Sequence, residues 1–116
     1  MSLKTVTPYL NFNGDAAQAI ELYVRALGAS VELEQRFKDI PGGEFTGAEG
    51  ERVMHATLRL GAGQLMLSDT MPRQVVSPGT NTHVTVQYAD TSEVDAQFAA
   101  LAEGGRVTMP LENTFW

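Results

Sequence analysis

The sequence predicts an α+β fold of two tandem βαβββ units, the second incomplete at its C-terminus, and three observations carry that prediction. Short stretches alternate apolar and polar residues at period two. Two other stretches repeat apolar residues at helical spacing and end in glycine. The order strand, helix, glycine, strand then recurs further along the chain. A length of 116 residues fits one compact domain overall, divided into residues 1–69 for the first unit, 70–81 for a linker and 82–116 for the second.

Lys4 to Phe12 opens the first unit as a half-buried strand, with Val6, Pro8, Leu10 and Phe12 on one side and Thr7, Tyr9 and Asn11 on the other. Asn13, Gly14 and Asp15 supply turn and cap chemistry. Ala16, Ala19, Ile20, Tyr23 and Leu27 follow at helical spacing, and Gly28 stands where a helix closes in the left-handed region. Ala29 to Phe37 reads as a second strand. Asp39 to Arg52 contains Pro41 and four glycines and reads as a loop, a candidate lid. Val53 to Leu60 alternates again, Met54, Ala56, Leu58 and Leu60 against Val53, His55, Thr57 and Arg59, and Gly61-Ala62-Gly63 turns it into Gln64 to Asp69 as a β-hairpin.

Thr70 to Asn81, with Pro72, Pro78 and Gly79, has no periodicity. In the second unit Thr82 to Tyr88 is expected as a strand, with His83, Thr85 and Gln87 on its polar side. Asp90 and Glu93 have the spacing of a capping box, Val94, Phe98 and Leu101 form a helical stripe closed by Gly104, and Arg106 to Met109 is a short strand. A shift of 76 positions lays Leu10 on Val86, Phe12 on Tyr88, Leu22 on Phe98, Gly28 on Gly104 and Val31 on Val107. Extrapolating the first unit's hairpin, the second is expected to lack about 30 residues, two strands.

Composition removes several classes of function. Hydrophobic residues at 43% and charged residues at 19% are ordinary for a globular chain, and no apolar run approaches the roughly 20 residues of a membrane span. Eight Lys and Arg against fourteen Asp and Glu give a net charge of −6, unfavourable for a nucleic-acid partner. Cysteine is absent, which removes disulfides and thiolate chemistry. Met1 to Lys4 runs straight into alternation rather than an apolar leader segment, so the expected location is cytoplasmic.

The opening Tyr9-Leu10-Asn11-Phe12-Asn13-Gly14 and the helix end Leu22-Tyr23-Val24-Arg25-Ala26-Leu27-Gly28 resemble the vicinal oxygen chelate superfamily, which includes glyoxalase I, extradiol dioxygenases and bleomycin resistance proteins. Val53-Met54-His55-Ala56, Leu65-Met66-Leu67-Ser68-Asp69, Met109-Pro110-Leu111 and Thr114-Phe115-Trp116 resemble its PhnB-like branch, often labelled 3-demethylubiquinone-9 3-methyltransferase. The resemblance implies curved sheets closing around a cleft, within a homodimer. It also implies a metal site with one ligand on the first and one on the fourth strand of each unit. Counted from the helix-ending glycine these positions fall on Pro8 and Met66, neither a ligand for a divalent ion, and on His83, which is competent.

Within that fold the polar strand faces are expected to line the cleft. Tyr9, Asn11, His55, Thr57, Arg59, Met66, Ser68, Thr85, Gln87 and Trp116 are the candidate ligand-binding residues. His55 and His83 are the candidate acid–base residues, because imidazole titrates near neutral pH, and Arg59 could clamp a carboxylate or phosphate. The methyltransferase label has no support from the residues: Gly61-Ala62-Gly63 joins two strands, whereas a doubly wound S-adenosylmethionine site needs a glycine-rich turn from a strand into a helix. The leading expectation is a homodimer that binds a small, partly apolar molecule with no cofactor and no obligatory metal. The alternative is a lyase, transferase or dioxygenase in which His83 helps hold a divalent metal ion, and an interaction domain is a third class.

Overall fold

The computed structural model describes residues 2–113. It runs through β1 (Tyr9–Phe12), α1 (Ala16–Leu27), β2 (Ser30–Arg36), a 3-10 turn at Phe37–Asp39, α2 (Gly47–Glu51), β3 (Val53–Leu60), β4 (Gly63–Asp69) and α3 (Val94–Ala102). The strands form one mixed sheet in the order β1-β4-β3-β2. β1 lies parallel to β4, while β2–β3 and the hairpin β3–β4 are antiparallel. The α+β class is as the sequence predicts.

Helix α1 has the predicted bounds. It ends at Gly28, whose φ of 69° only glycine adopts without strain and whose N–H bonds to the Val24 carbonyl at 3.1 Å. Its apolar stripe covers one face of the sheet, where Ala16, Ile20, Ala29, Val53, Ala56, Leu58, Leu65 and Leu67 form the core. Leu58 and Leu67 are wholly buried, each side chain contributing about 1.5–3 kcal/mol of transfer free energy.

The start of α1 differs from expectation. Asp15 makes no side-chain cap bond. Asp69, at the end of β4, does that work from across the sheet: Oδ1 accepts from the N–H groups of Gly14 (2.8 Å) and Ala16 (3.0 Å), and Oδ2 from Val53 N–H (2.9 Å). One buried carboxylate thus fastens the helix start and the beginning of β3 to the end of β4.

A bulge corrects the predicted faces of β3. Gln35 pairs with His55 and Arg36 with Val53, leaving Met54 without a partner. Val53 and Met54 are therefore out of phase with the residues that follow them. Val53 joins the core, and Met54 lies with Asn11 and Ser68 on the opposite face.

The predicted loop from Asp39 to Arg52 contains the short helix α2. Phe37 meets Phe45 edge to face at 5.4 Å, and α2 passes so close to Phe45 that a Cβ on Gly50 would lie 2.9 Å from the Phe45 carbonyl oxygen. Exposed ion pairs join Lys38 to Glu51 (2.7 Å) and Arg36 to Glu34 (2.6 Å).

Beyond residue 81 the strand predictions fail. Thr82 to Tyr88 and Arg106 to Met109 are irregular, because among the described residues nothing pairs with their backbone groups, and a strand cannot satisfy its own N–H and C=O. The first strand is likewise shorter than the predicted Lys4 to Phe12: only Tyr9–Phe12 runs alongside β4. Helix α3, which bonds internally, forms and packs against α1. The predicted capping box does not form. Asp90 Oδ1 instead accepts from the N–H (2.9 Å) and hydroxyl (2.6 Å) of Ser92, bonds that hold its carboxyl below the ordinary carboxylate range, and α3 begins at Val94.

Candidate functional site

Strand register decides which polar residues share a face. Tyr9 lies beside Met66, Met66 beside Thr57, and Asn11 beside Ser68. Directly paired residues point the same way, so these side chains occupy the side of the sheet opposite α1 together with His55, two residues from Thr57. Three of them form a hydrogen-bonded chain. The Tyr9 hydroxyl lies 3.1 Å from His55 Nδ1, and His55 Nε2 lies 3.1 Å from Thr57 Oγ1. The phenol and imidazole rings sit 5.7 Å apart, tilted by 36°.

Each imidazole nitrogen therefore faces a hydroxyl, and a hydroxyl both donates and accepts. The chain can reverse its polarity by rotating two O–H bonds and changing the imidazole tautomer, with no change in net charge. Tyr9 is the exposed end and Thr57 the buried end, so an incoming polar group meets the phenol first. Beside this chain the Ser68 hydroxyl donates to Asn11 Oδ1 at 3.5 Å, and the Met66 thioether completes the surface. Tyr9, Asn11, His55, Thr57, Met66 and Ser68 are thus brought together.

The remaining candidates are placed otherwise. Arg59 is at the far end of β3, where its guanidinium pairs with Glu32 at 3.4 Å and Gln64 donates to the same carboxylate at 2.8 Å. Its charge is already balanced, which weakens the expected role as an anion clamp. Thr85 and Gln87 line a separate apolar cavity of about 430 Å³ on the helix side of the sheet, with Leu10, Tyr23, Leu65 and Leu101. Burial there pushes the Tyr23 phenol above its ordinary value. His83 is exposed, with no hydrogen-bond or ion-pair partner among the described residues. The structure therefore does not gather His83, Thr85 and Gln87 with the Tyr9–His55 face, and Trp116 lies outside the described residues.

A hollow of about 670 Å³, which sequence reasoning missed, adjoins the face through Asn11 and Ser68. Met54, Phe37 and Ile40 form one wall, and Thr70, Met71, Gln74, Val75 and Val76 the other. No periodicity marks it, because the bulge and the ordered loop that create it are tertiary features.

The register also revises the ligand positions implied by the fold. Pro8 gives its carbonyl to Met66 N–H at 3.0 Å and lies on the helix side. Tyr9, not Pro8, is the residue facing outward beside Met66. A phenol and a thioether are a poor ligand pair for a divalent ion, and among the described residues no three His, Asp or Glu side chains converge as metal ligands. Among the described residues no helix is long and apolar enough to cross a membrane.

The model of the Glyoxalase/Bleomycin resistance protein/Dioxygenase superfamily matches residues 6–116. Protein YjdN of Escherichia coli (strain K12) is 30% identical over 120 residues, which cover 96% of this chain and 81% of that protein. Mycobacterial relatives are longer, and this chain spans 64% of one from Mycobacterium bovis and 57% of one from Mycobacterium tuberculosis. Among solved structures, protein PA1353 from Pseudomonas aeruginosa has 33% identity and a TM-score of 0.84, covering 98% of this chain and 84% of that one. A PhnB protein from Bacillus cereus, provisionally described as a 3-demethylubiquinone-9 3-methyltransferase, shares the fold with a TM-score of 0.72 at 23% identity, over 92% of this chain and 80% of that one. A helix-backed sheet in the order β1-β4-β3-β2, matched along almost its whole length by the family model, makes this chain a member of the Glyoxalase/Bleomycin resistance protein/Dioxygenase superfamily, with a PhnB protein among its structural neighbours.

Proposed function

We propose that the protein binds a small, partly apolar molecule against the Tyr9–His55–Thr57 face of its sheet and needs no resident metal ion to do so. The observation that carries this reading is the hydrogen-bonded chain itself: a phenol, an imidazole and a hydroxyl end at an exposed tyrosine beside a thioether. Such a surface offers a ligand one adaptable hydrogen bond and apolar contact, the usual composition of a small-molecule site. The protein acts in this reading by holding its ligand, as a cytoplasmic homodimer, and the superfamily membership supports the assembly.

Two measurements test the reading. Binding of phenol by calorimetry should weaken about tenfold in Tyr9→Phe and His55→Ala, the equivalent of about 1.4 kcal/mol for one lost hydrogen bond, with the circular dichroism spectrum unchanged. The melting temperature of chelator-treated protein should not move with Mn²⁺, Ni²⁺, Zn²⁺ or Fe²⁺. An ion bound at about 100 times its dissociation constant would add roughly 2.7 kcal/mol. A rise of several degrees with one ion, abolished in His83→Ala, would replace this reading with the metal-dependent one.

A further inference from the structure

We infer that the hollow beside the Tyr9–His55 face is a sub-pocket for the uncharged, apolar end of the ligand, an aromatic ring or branched alkyl group, and that Asn13 holds its outer wall in place. The inference rests on the proposed binding face and adds to it the class of molecule selected. At about 670 Å³ the hollow is within the usual range for small-molecule sites, and it reaches the face through Asn11 and Ser68. A molecule whose polar end meets Tyr9 can therefore extend into it.

The lining rejects charge. Apart from Asn11, Ser68, Thr70 and Gln74, the side chains around the hollow are apolar, with one exception, Asp69. That carboxylate accepts from three backbone N–H groups, so it is already satisfied and is not a counter-charge for a cation. No lining residue is cationic, so an anion entering the hollow would lose hydration without gaining a counter-charge. Met54 and Met71 bring polarisable thioethers, which pack well against aromatic edges and adapt to irregular shapes.

The outer wall is a built turn. Thr70 N–H bonds to the Phe12 carbonyl (2.8 Å), the Thr70 hydroxyl donates to the Gln74 carbonyl (2.6 Å), and Gln74 N–H donates to the Met71 carbonyl (2.9 Å). Arg73 takes a φ of 73° inside this turn, unusual for a residue other than glycine, so the surroundings hold it there. The far end is fixed by one side chain. Asn13 Nδ2 donates to the Val76 carbonyl and Asn13 Oδ1 accepts from Val76 N–H, both at 2.8 Å. Asn13 itself does not line the hollow, so it is a positioning residue.

The test compares phenol, which reaches only the Tyr9–His55 face, with 2-naphthol, which adds a second ring for the hollow, and with the anion 6-hydroxy-2-naphthoate, which keeps the hydroxyl for Tyr9 and carries its carboxylate on that second ring. Calorimetry on the full chain should show 2-naphthol binding about tenfold tighter than phenol, and 6-hydroxy-2-naphthoate at least about tenfold weaker than 2-naphthol. Asn13→Ala, at an exposed position, should remove most of the gain for 2-naphthol and leave phenol unchanged. Met54→Gln should do the same by placing an amide in the hollow. Binding of 2-naphthol that depends on His55 but ignores both variants overturns the sub-pocket and leaves the binding face standing. Equal binding of 2-naphthol and 6-hydroxy-2-naphthoate also overturns it, and no binding of either phenol or 2-naphthol overturns both readings.

Discussion

Helices α1 and α3 belong to repeats of one pattern and both are followed by glycines in the left-handed region, Gly28 at φ 69° and Gly104 at φ 73°, yet their surroundings differ completely. Helix α1 lies on a four-stranded sheet and buries Ala16, Ile20 and Ala26; α3 buries no residue fully. The segments flanking it alternate as clearly as β1 does, but Val84, Val86, Val107 and Met109 stand 46–69% exposed. Alternation records which side of a strand would be apolar. Forming the strand also requires a neighbour: β4 supplies one to β1, and the described residues supply none to Thr82 to Tyr88. A helix satisfies its own backbone and so survives where a strand does not.

Substitutions can break this contrast or sharpen it. Leu67→Ala, at a wholly buried site between helix and sheet, should cost about 3 kcal/mol and lower the melting temperature by on the order of 10 °C, whereas Val86→Ala should change stability by no more than about 0.5 kcal/mol. Comparable losses in thermal melts would mean that the second segment is packed in solution, and the contrast would go. Asp69→Ala removes the acceptor of three backbone N–H groups and should cost about 2–3 kcal/mol in urea unfolding, while Asp15→Ala, which removes no cap bond, should fall within about 0.5 kcal/mol.

The smallest effect is electrostatic. The Lys38 ammonium, by hydrogen bond and by charge, holds the exposed Glu51 carboxyl below its ordinary 4.5. Its contribution to folding is therefore complete above that value and is lost as the pH falls through the lowered one. Lys38→Met should return the Glu51 titration, followed by its side-chain carbon shift, toward the ordinary value and leave the melting temperature at neutral pH unchanged.

Local signals in the sequence were accurate where the chain satisfies itself locally. The apolar spacing and Gly28 fix α1, and Gly61-Ala62-Gly63 between two alternating runs fixes the hairpin. Half the candidate site was legible for the same reason: once β3 and β4 are strands, His55, Thr57, Met66 and Ser68 must share a face. Legibility ended where distant pieces meet. The parallel register that turns Tyr9 rather than Pro8 outward, the Met54 bulge, the hollow and the engagement of Arg59 by Glu32 all depend on contacts between strands or loops far apart in sequence. Asp69 carried a faint signal, an acidic residue ending the apolar run Leu65-Met66-Leu67, but nothing local reveals that its partners lie 55, 53 and 16 positions away.

That remote cap also bears on how the chain folds. The first amides of α1 find their acceptor only after β4 exists and has come alongside β1, an encounter that closes a loop of more than fifty residues. The β3–β4 hairpin, joined by a two-residue turn, closes at small entropic cost, whereas the beginning of α1 lacks its acceptor until that hairpin lies alongside β1. The start of α1 thus depends on a partner far along the chain, and a local cap at Asp15 would relieve it of that dependence.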